Sequence, residues 1–280
     1  MQDERREACA GLFYPAQPEE LREELARCFA HSATDAHSGA DAPLVLIAPH
    51  AGYSYSGSVA ACAYNRARGL QNALVVLLGP SHHVYIEGVA VADYSRWRTP
   101  LGSIQSIHEI PSTLRSFVSR QGGNNAAAHT REHSLEVQLP FLQTVLAPGF
   151  CILPLLVGRM GSAELDELAA ALTEIARGAQ EKQVLFVCST DLSHDYNYAQ
   201  AKVMDGKLAE IVSRLDADEF ITACQARRIE ACGMYALWLC MSLARGMGRE
   251  SADILALTNS GEIIGDTRSR IVGYLSASVA

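Results

Sequence analysis

The chain has 280 residues, of which 49% are hydrophobic and 19% are charged, a globular composition that excludes a disordered or fibrous protein. The 31 acidic residues outnumber the 23 basic residues, which gives a formal net charge of −8 at pH 7. Since proteins that track phosphate backbones carry a basic face, this charge argues against nucleic-acid binding as the main activity.

The amino-terminal residues predict no secretory signal, because Met-Gln-Asp-Glu-Arg-Arg-Glu is highly charged and no apolar core follows it. The longest mostly apolar run, Tyr235 to Ala244, is shorter than the roughly 18–20 residues that span a bilayer. The eight cysteines form no CxxC pair, and several stand in apolar stretches, so we predict reduced thiols. These features together predict a cytoplasmic protein that does not bind membranes.

Short apolar runs rich in β-branched residues recur along the chain and predict strands that are covered on both faces. These runs are residues 44–47, 74–78, 152–157, 184–187 and 271–274. Between them, apolar side chains at helical spacing predict helices at residues 18–30, 162–177 and 204–215. Two other segments differ: 88–107 predicts an antiparallel excursion or an edge hairpin, and 121–125 predicts a mobile surface loop. Alternating strands and helices predict one α/β domain over residues 1–280, with a largely parallel sheet.

Three of the predicted strands run directly into a segment that contains histidine. These are His50 after the first strand, His82 and His83 after the second, and His194 after the fourth. Loops at the carboxyl ends of parallel strands converge, and ligands of open α/β sheets bind there. A single histidine after a strand is usually an ordinary loop residue, but three such placements together indicate a metal or acid–base site.

A further segment, Glu-His-Ser-Leu-Glu-Val-Gln-Leu-Pro, begins with Glu132 and His133 and predicts a helix with Leu135 and Leu139 on its apolar face. His133 is either a residue that caps this helix near Glu136 or an acid–base group that lines a pocket. The residues alone leave both interpretations open.

Cys232, in Glu-Ala-Cys-Gly-Met-Tyr, stands where an apolar helix is predicted to begin. The positive end of a helix lowers the pKa of a thiol and favours the thiolate, which is the form that ligates metals. Gly233 beside it lets the backbone approach a site closely. A buried structural cysteine is the alternative, and we assign that role to the other seven. Cys232 is therefore the candidate metal ligand among the cysteines.

The histidine and cysteine motifs of this chain resemble those of the Memo family and follow one another in the order expected of that family. They are the segments around His50, His82, His133, His194 and Cys232. The bacterial and archaeal members of the family are often called AmmeMemoRadiSam system protein B. The Gly-Leu-Phe-Tyr-Pro segment at 11–15 also resembles the amino-terminal motif of that family. The resemblance covers essentially the whole chain, and several of the matching motifs are six residues or longer.

The Memo family is similar in fold to class III extradiol dioxygenases, so the resemblance implies a three-layer α/β sandwich with a central, mostly parallel sheet. In those enzymes two histidines and one carboxylate hold Fe(II) and leave faces open for a catechol and dioxygen. By resemblance, His50 and His82 are the histidine ligands and Cys232 takes the third position. The other implied site residues are His194, Asp191 and His133 for catalysis and His83, Tyr53, Ser81 and Glu132 for the substrate pocket.

Cys232 is a departure from the dioxygenase pattern, because a hard carboxylate has become a soft thiolate. Two histidines and one thiolate suit copper, zinc or iron rather than Fe(II) alone. We expect one metal ion, with Fe(II) or copper ahead of zinc. Glu230 offers an alternative carboxylate, but residues at positions i and i+2 of a helix do not share a face.

Three functions are consistent with this site. The leading hypothesis is a dioxygenase-like redox enzyme that acts on an unknown small phenolic or otherwise chelating substrate, with His194 moving protons. The second is a non-catalytic metal-binding or protein-interaction module with a vestigial dioxygenase site, since some Memo proteins are regarded as signalling or scaffold proteins. The third is a zinc-dependent hydrolase. The resemblance also implies a radical-SAM protein and other system proteins as partners.

Overall fold

The computed structural model describes residues 4–32, 42–107, 109–118, 125–179 and 182–280. Most of the predicted surface loop at 121–125 lies outside these residues. The strands are β1 (Glu4–Arg5), β2 (Val45–Ala48), β3 (Ala73–Gly79), β4 (Val89–Val91), β5 (Arg96–Thr99), β6 (Gly102–Ser106), β7 (Cys151–Val157), β8 (Gln183–Ser189), β9 (His194–Tyr196), β10 (Asp253–Asn259) and β11 (Ile271–Val279).

The α-helices lie between and around these strands. They are α1 (Pro18–Ala30), α2 (Tyr53–Asn65), α3 (Asn125–Thr130), α4 (Leu139–Val145), α5 (Ser162–Gly178), α6 (Tyr198–Ser213), α7 (Ala217–Gln225), α8 (Met234–Gly246) and α9 (Ser260–Ile264). α1 has Pro18 at its start and acidic residues in its first turn, both of which stabilise a helix amino terminus.

The strands form a sheet with the order β1-β5-β6-β7-β3-β8-β2-β11-β10, with β4 paired to β7 and β9 paired to β11 beside this path. The central strands β7, β3, β8 and β2 are parallel. The prediction of an α/β fold with a largely parallel central sheet flanked by helices is confirmed. The predicted hairpin is also present, because β5 and β6 pair antiparallel.

Helices cover both faces of the sheet, which explains why the central strands read as continuous apolar runs. Leu74 and Val76 of β3 pack into one hydrophobic cluster with α5 and α8. Val75 and Leu77 of the same strand pack into a second cluster, with α1, α2 and α4. β3 is buried along its whole length.

Some elements differ from the sequence-based expectation. α6 begins at Tyr198, six residues before the predicted start, and Asn197 caps it by accepting a hydrogen bond from the Gln200 backbone N–H. The segment after His133 is a short 3₁₀ turn followed by α4, rather than one helix. β10 was not predicted, because its residues are half-buried rather than continuously apolar.

All eight cysteines are free thiols, as predicted, and most of them are buried. Cys188 and Cys240, for example, are 0% and 1% exposed and lie in the first hydrophobic cluster. None of the helices in the described ranges is both long enough and apolar enough to cross a bilayer.

Candidate metal centre

The strand-end histidines lie at one edge of the sheet because β3, β8 and β2 are adjacent and parallel. His50 follows β2, His82 follows β3, and Asp191 follows β8. Their loops meet each other and the turn before α8, which carries Cys232. The side chains of His50, His82 and Cys232 each offer one ligand atom, and these atoms lie within 4.8 Å of one another. The predicted His/His/Cys group is therefore present.

His50 is buried, and its hydrogen-bond partners determine which ring nitrogen carries a proton. The Ser189 hydroxyl donates its proton to the Ser134 carbonyl oxygen at 2.6 Å. This hydroxyl has no second proton, so its oxygen must accept a hydrogen bond from His50 Nδ1, which lies 2.8 Å away. The proton lies on Nδ1, and the lone pair of Nε2 faces the Cys232 sulfur at 3.2 Å. Burial, with His82 and His133 nearby, also holds the pKa of His50 well below its usual value.

The Ser189 hydroxyl is itself held by a buried chain of side chains. Gln138 Nε2 donates to Ser189 Oγ at 2.9 Å and to the Pro49 carbonyl oxygen at 3.0 Å. The Tyr64 hydroxyl donates to Gln138 Oε1 at 2.7 Å, which fixes the orientation of the amide. Neither Ser189 nor Gln138 has any exposed surface. Such outer partners orient a ligand and fix its tautomer.

His82 is held by a carboxylate rather than a hydroxyl. Its Nδ1 lies 2.9 Å from Glu132 Oε1, and its backbone N–H donates to Glu132 Oε2 at 2.6 Å. Burial alone would raise the pKa of Glu132, but the hydrogen bonds from His82 and from the Ser134 backbone hold it well below its usual range. The carboxylate is ionised and Nδ1 donates to it, so Nε2 is the nitrogen available to a metal. The His82 side chain is 31% exposed, at the mouth of the site.

Cys232 lies in the turn before α8, where the backbone of this turn meets the loop after β8. The Asp191 N–H donates to its sulfur at 3.1 Å, and the Cys232 N–H donates to the Asp191 carbonyl oxygen at 3.1 Å. A Cβ on Gly233 would lie 2.7 Å from the Ser189 carbonyl oxygen and 2.8 Å from Thr190 Cβ. The prediction that Gly233 permits a close backbone approach is confirmed.

The predicted effect of the helix on Cys232 is wrong. α8 begins at Met234 and Gly233 is its N-cap, so Cys232 stands outside the first turn. Burial, followed by the nearby Asp191 carboxyl, raises the pKa of the thiol. A coordinated metal ion would itself deprotonate this sulfur.

The donor set fits a single metal ion of intermediate softness. Two imidazole nitrogens and one sulfur converge, and Cys232 Sγ lies 3.2 Å from the unprotonated His50 Nε2. His82, Glu132 and His133 form a second group of nearby ligand atoms. Glu132 Oε1 already accepts from His82 Nδ1 and from two backbone N–H groups, and Oε2 accepts from a third. The first group is therefore the better candidate.

His133 forms part of a stack of rings that ends on His82. The ring centroids of His133 and His82 are 4.6 Å apart with an interplanar angle of 21°, and those of Phe13 and His133 are 4.4 Å apart at 28°. Burial lowers the pKa of His133 to about 4, so the ring is neutral at pH 7. This placement favours the pocket-lining interpretation of His133.

His194 and Asp191 lie beside the metal group. His194 Nδ1 donates to the Leu192 carbonyl oxygen at 2.8 Å, which leaves Nε2 with the free lone pair. Asp191 Oδ1 accepts the backbone N–H of His50 at 2.8 Å. Burial raises the pKa of Asp191 to about 6, although the backbone N–H of His50 and the nearby side chains of His194 and His82 oppose this rise.

The remaining predicted residues lie around this group. The Tyr53 hydroxyl donates to the Val137 carbonyl oxygen at 2.6 Å and its ring packs in the core, so the hydroxyl is not free for a substrate. The Ser81 hydroxyl donates to the Val84 carbonyl oxygen at 2.7 Å. His83 is exposed, with its ring 6.3 Å from that of His133. Glu230 is near the Tyr196 hydroxyl and raises its pKa.

Sequence reasoning did not identify Ser189, Gln138 or Phe13 as parts of the site. All three stand inside or beside the motifs that carried the resemblance, so their position offered a signal. Their chemistry did not, because serine, glutamine and phenylalanine are common in cores and loops.

Replacing Glu132 with glutamine is expected to weaken metal binding about 10–100-fold, because His82 loses the anionic partner that orients it and raises its basicity. Affinity is measured by competition with a chromophoric chelator under anaerobic, reducing conditions. Glu262→Gln, at a surface carboxylate that pairs with Lys202, is the matched control and should bind as the unmodified protein does. Equal affinities for the two variants would contradict the role of Glu132.

The fold and the site define an α/β protein with a candidate His/His/Cys metal centre at the carboxyl edge of its parallel strands. A family model described as Memo-like protein matches residues 5–278, so the chain belongs to the Memo family.

Three relatives match this chain over nearly its whole length and over nearly the whole of their own. A MEMO1 family protein of Methanobrevibacter smithii is 36% identical over 280 residues, which cover 97% of this chain and 98% of that protein. One of Methanopyrus kandleri is 35% identical and covers 97% of each chain. One of Nitrosopumilus maritimus is 30% identical and covers 96% of this chain and 97% of its own.

Proposed function

We propose that this protein is an iron- or copper-dependent redox enzyme, related in fold and site to class III extradiol dioxygenases, that acts on a small chelating substrate such as a phenol. The observation that supports this proposal is the convergence of His50, His82 and Cys232 beside two further groups that can transfer protons, Asp191 and His194. A site that only stores metal has no need of such a pair.

His50, His82 and Cys232 would hold the ion, which supplies Lewis-acid and electron-transfer chemistry toward dioxygen and substrate when bound. The Ser189 hydroxyl accepts a hydrogen bond from His50 Nδ1 and so keeps the proton of this ring on Nδ1. The Glu132 carboxylate keeps the proton of His82 on Nδ1 in the same way. Both rings thus present Nε2 without reorganisation.

Two groups of the site can exchange protons with a substrate. The free lone pair of His194 Nε2 can accept a phenolic proton. Asp191, whose pKa burial raises to about 6, changes its ionisation near that pH. Neutral His133 packs against the partly exposed ring of His82, so these two rings form part of the wall of the substrate pocket.

The test is oxygen consumption by protein reconstituted anaerobically with Fe(II) or with copper, measured over a panel of catechols. We expect substrate-dependent uptake that falls about 100-fold or more in His194→Gln, the size of a general acid–base contribution, while metal content is unchanged. His31→Gln, at an exposed histidine on the carboxyl end of α1, is the control and should retain full activity.

The other outcomes separate the alternatives. Stable metal binding without oxygen uptake on any substrate would contradict the proposal and favour a metal-binding or interaction module. Stoichiometric zinc with anaerobic turnover of an ester or amide would favour a hydrolase. A radical-SAM partner remains a prediction from the family resemblance.

A further inference from the structure

The strand that carries His194 is irregular at this residue. In the pairing of β9 with β11, His194 pairs with Val272 and Tyr196 pairs with Ile271, so Asp195 is an extra residue. Asp195 has φ 64°, in the left-handed region that residues other than glycine rarely adopt. Bulges of this kind redirect a side chain and are frequent beside functional sites. The direction of His194 therefore depends on a backbone that needs support from its neighbours.

Asp205 of α6 lies against the residue that precedes His194. Its side chain is buried, and its Oδ1 accepts the Ser193 backbone N–H at 3.2 Å. Its Oδ2 accepts the Ser193 hydroxyl at 3.1 Å. One carboxylate thus fixes both the backbone and the side chain of Ser193.

The opposite side of the same turn is fixed by β11. The Leu192 N–H donates to the Gly273 carbonyl oxygen at 2.9 Å, and the Gly273 N–H donates to the Ser193 carbonyl oxygen at 2.9 Å. A Cβ at position 273 would lie only 2.0 Å from Asp205 Oδ2. The glycine is therefore what allows the carboxylate to reach Ser193.

Among the described residues, the side-chain hydrogen bonds of the buried Asp205 carboxyl all go to Ser193. His194 and Glu230 are the ionisable groups with the largest influence on its pKa, and no lysine or arginine of the described residues forms an ion pair with it. Burying a carboxyl without a cationic partner costs stability, so its two hydrogen bonds to Ser193 are what it offers the fold. These bonds are directed at the turn of His194 rather than at a helix end.

We propose that Asp205 is a positioning residue that, through Ser193, holds the bulged turn so that His194 keeps its proton on Nδ1 and presents Nε2 to the site. This inference rests on the proposed role of His194 in proton transfer. Asp205 does not itself touch the substrate or the metal ligands. It acts on the orientation and tautomer of the histidine.

The test measures the tautomer of His194 by ¹⁵N–¹H NMR of the metal-free, reduced protein labelled at histidine, with the signals assigned from His194→Gln. In the unmodified protein we expect the Nδ1–H tautomer, because the Leu192 carbonyl oxygen can only accept. In Asp205→Ala both bonds to Ser193 are lost, and we expect a mixture in which the Nε2–H tautomer of His194 is populated beside the Nδ1–H tautomer.

Asp205→Asn is the conservative variant. Its amide oxygen can accept the Ser193 N–H, and its amide N–H can donate to the Ser193 hydroxyl after that hydroxyl rotates, so the Nδ1–H tautomer should be retained. Ser193→Ala is the variant to use if Asp205→Ala does not fold. It removes only the hydroxyl bond, so the Nδ1–H tautomer should be less populated than in the unmodified protein but more populated than in Asp205→Ala. Asp216→Ala removes another aspartate, the N-cap of α7, and should leave His194 unchanged.

An unchanged tautomer in both folded Asp205→Ala and Ser193→Ala would overturn the inference. Loss of the Nδ1–H tautomer of His194 in Asp205→Asn would also overturn the inference. In that case the charge of Asp205, rather than its hydrogen bonds to Ser193, would determine the tautomer. The NMR result does not depend on activity. Absence of oxygen uptake would therefore count against the proposed function alone, and an unchanged tautomer would count against the positioning role alone.

Discussion

A variant that carries both His50→Ala and His82→Ala is expected to lose its bound metal ion. Only the Cys232 sulfur then remains of the three converging donors. Loss of an outer partner costs about 10–100-fold in metal affinity, and loss of two direct ligands should cost more than that. Metal content is measured by elemental analysis after anaerobic reconstitution and desalting.

The control for this variant is His31→Ala, at an exposed histidine that also could bind metal adventitiously. It should retain the full stoichiometry of the unmodified protein. Circular dichroism of the double variant checks that the fold is intact. Full metal content in a folded double variant would mean that the ion is held elsewhere.

Replacing Glu136 with alanine is expected to destabilise the fold by about 3–5 kcal/mol, the cost of leaving a buried charge without its partner. Glu136 and Arg5 form an ion pair in which both side chains are almost completely buried. The same carboxylate accepts the Tyr14 hydroxyl at 2.7 Å and the backbone N–H groups of Ala8 and Cys9. Since whole domains are stable by roughly 5–15 kcal/mol, urea unfolding should detect the loss easily.

The double variant Arg5→Met with Glu136→Leu should recover only part of this loss, because it removes both charges together but leaves the Tyr14 hydroxyl and the N–H groups of Ala8 and Cys9 without their acceptor. Glu210→Ala, which breaks an exposed ion pair with Arg214, should cost no more than about 1 kcal/mol. A Glu136→Ala variant no less stable than Glu210→Ala would show that the buried pair contributes little.

The same pair predicts a dependence of stability on pH. Burial tends to raise the pKa of Glu136, but Arg5 and the hydrogen bonds to this carboxylate lower it below its ordinary value of 4.5. The ionised Glu136 carboxylate therefore contributes its full share to the free energy of unfolding above pH 4.5. This share is lost as the pH falls through the lowered pKa of the folded state. Glu136→Gln should lack this part of the acid sensitivity.

The central strands could be predicted from the sequence because burial on both faces leaves a continuous apolar run, as in β3 and β7. β10 could not, since its half-buried residues give neither a continuous run nor a clear alternation. α2 begins Tyr-Ser-Tyr-Ser-Gly-Ser, a poor helix-forming stretch, and its helical state depends on packing against the sheet.

The ligands of the candidate site could be predicted because parallel strands bring their carboxyl ends to one edge. Their partners could not, because Ser189 lies 139 residues from His50 and Glu132 lies 50 residues from His82. The environment of Cys232 was predicted incorrectly for a related reason. Its pKa is governed by burial in the folded site, which no local pattern reveals.

The most direct test of the site is X-ray absorption at the zinc edge of protein loaded anaerobically with one equivalent of zinc. We predict one sulfur neighbour at about 2.3 Å and nitrogen neighbours at about 2.0–2.1 Å, with the sulfur lost in Cys232→Ser. A spectrum with only nitrogen and oxygen neighbours, or a sulfur that persists in Cys232→Ser, would contradict the assignment of His50, His82 and Cys232 to one ion.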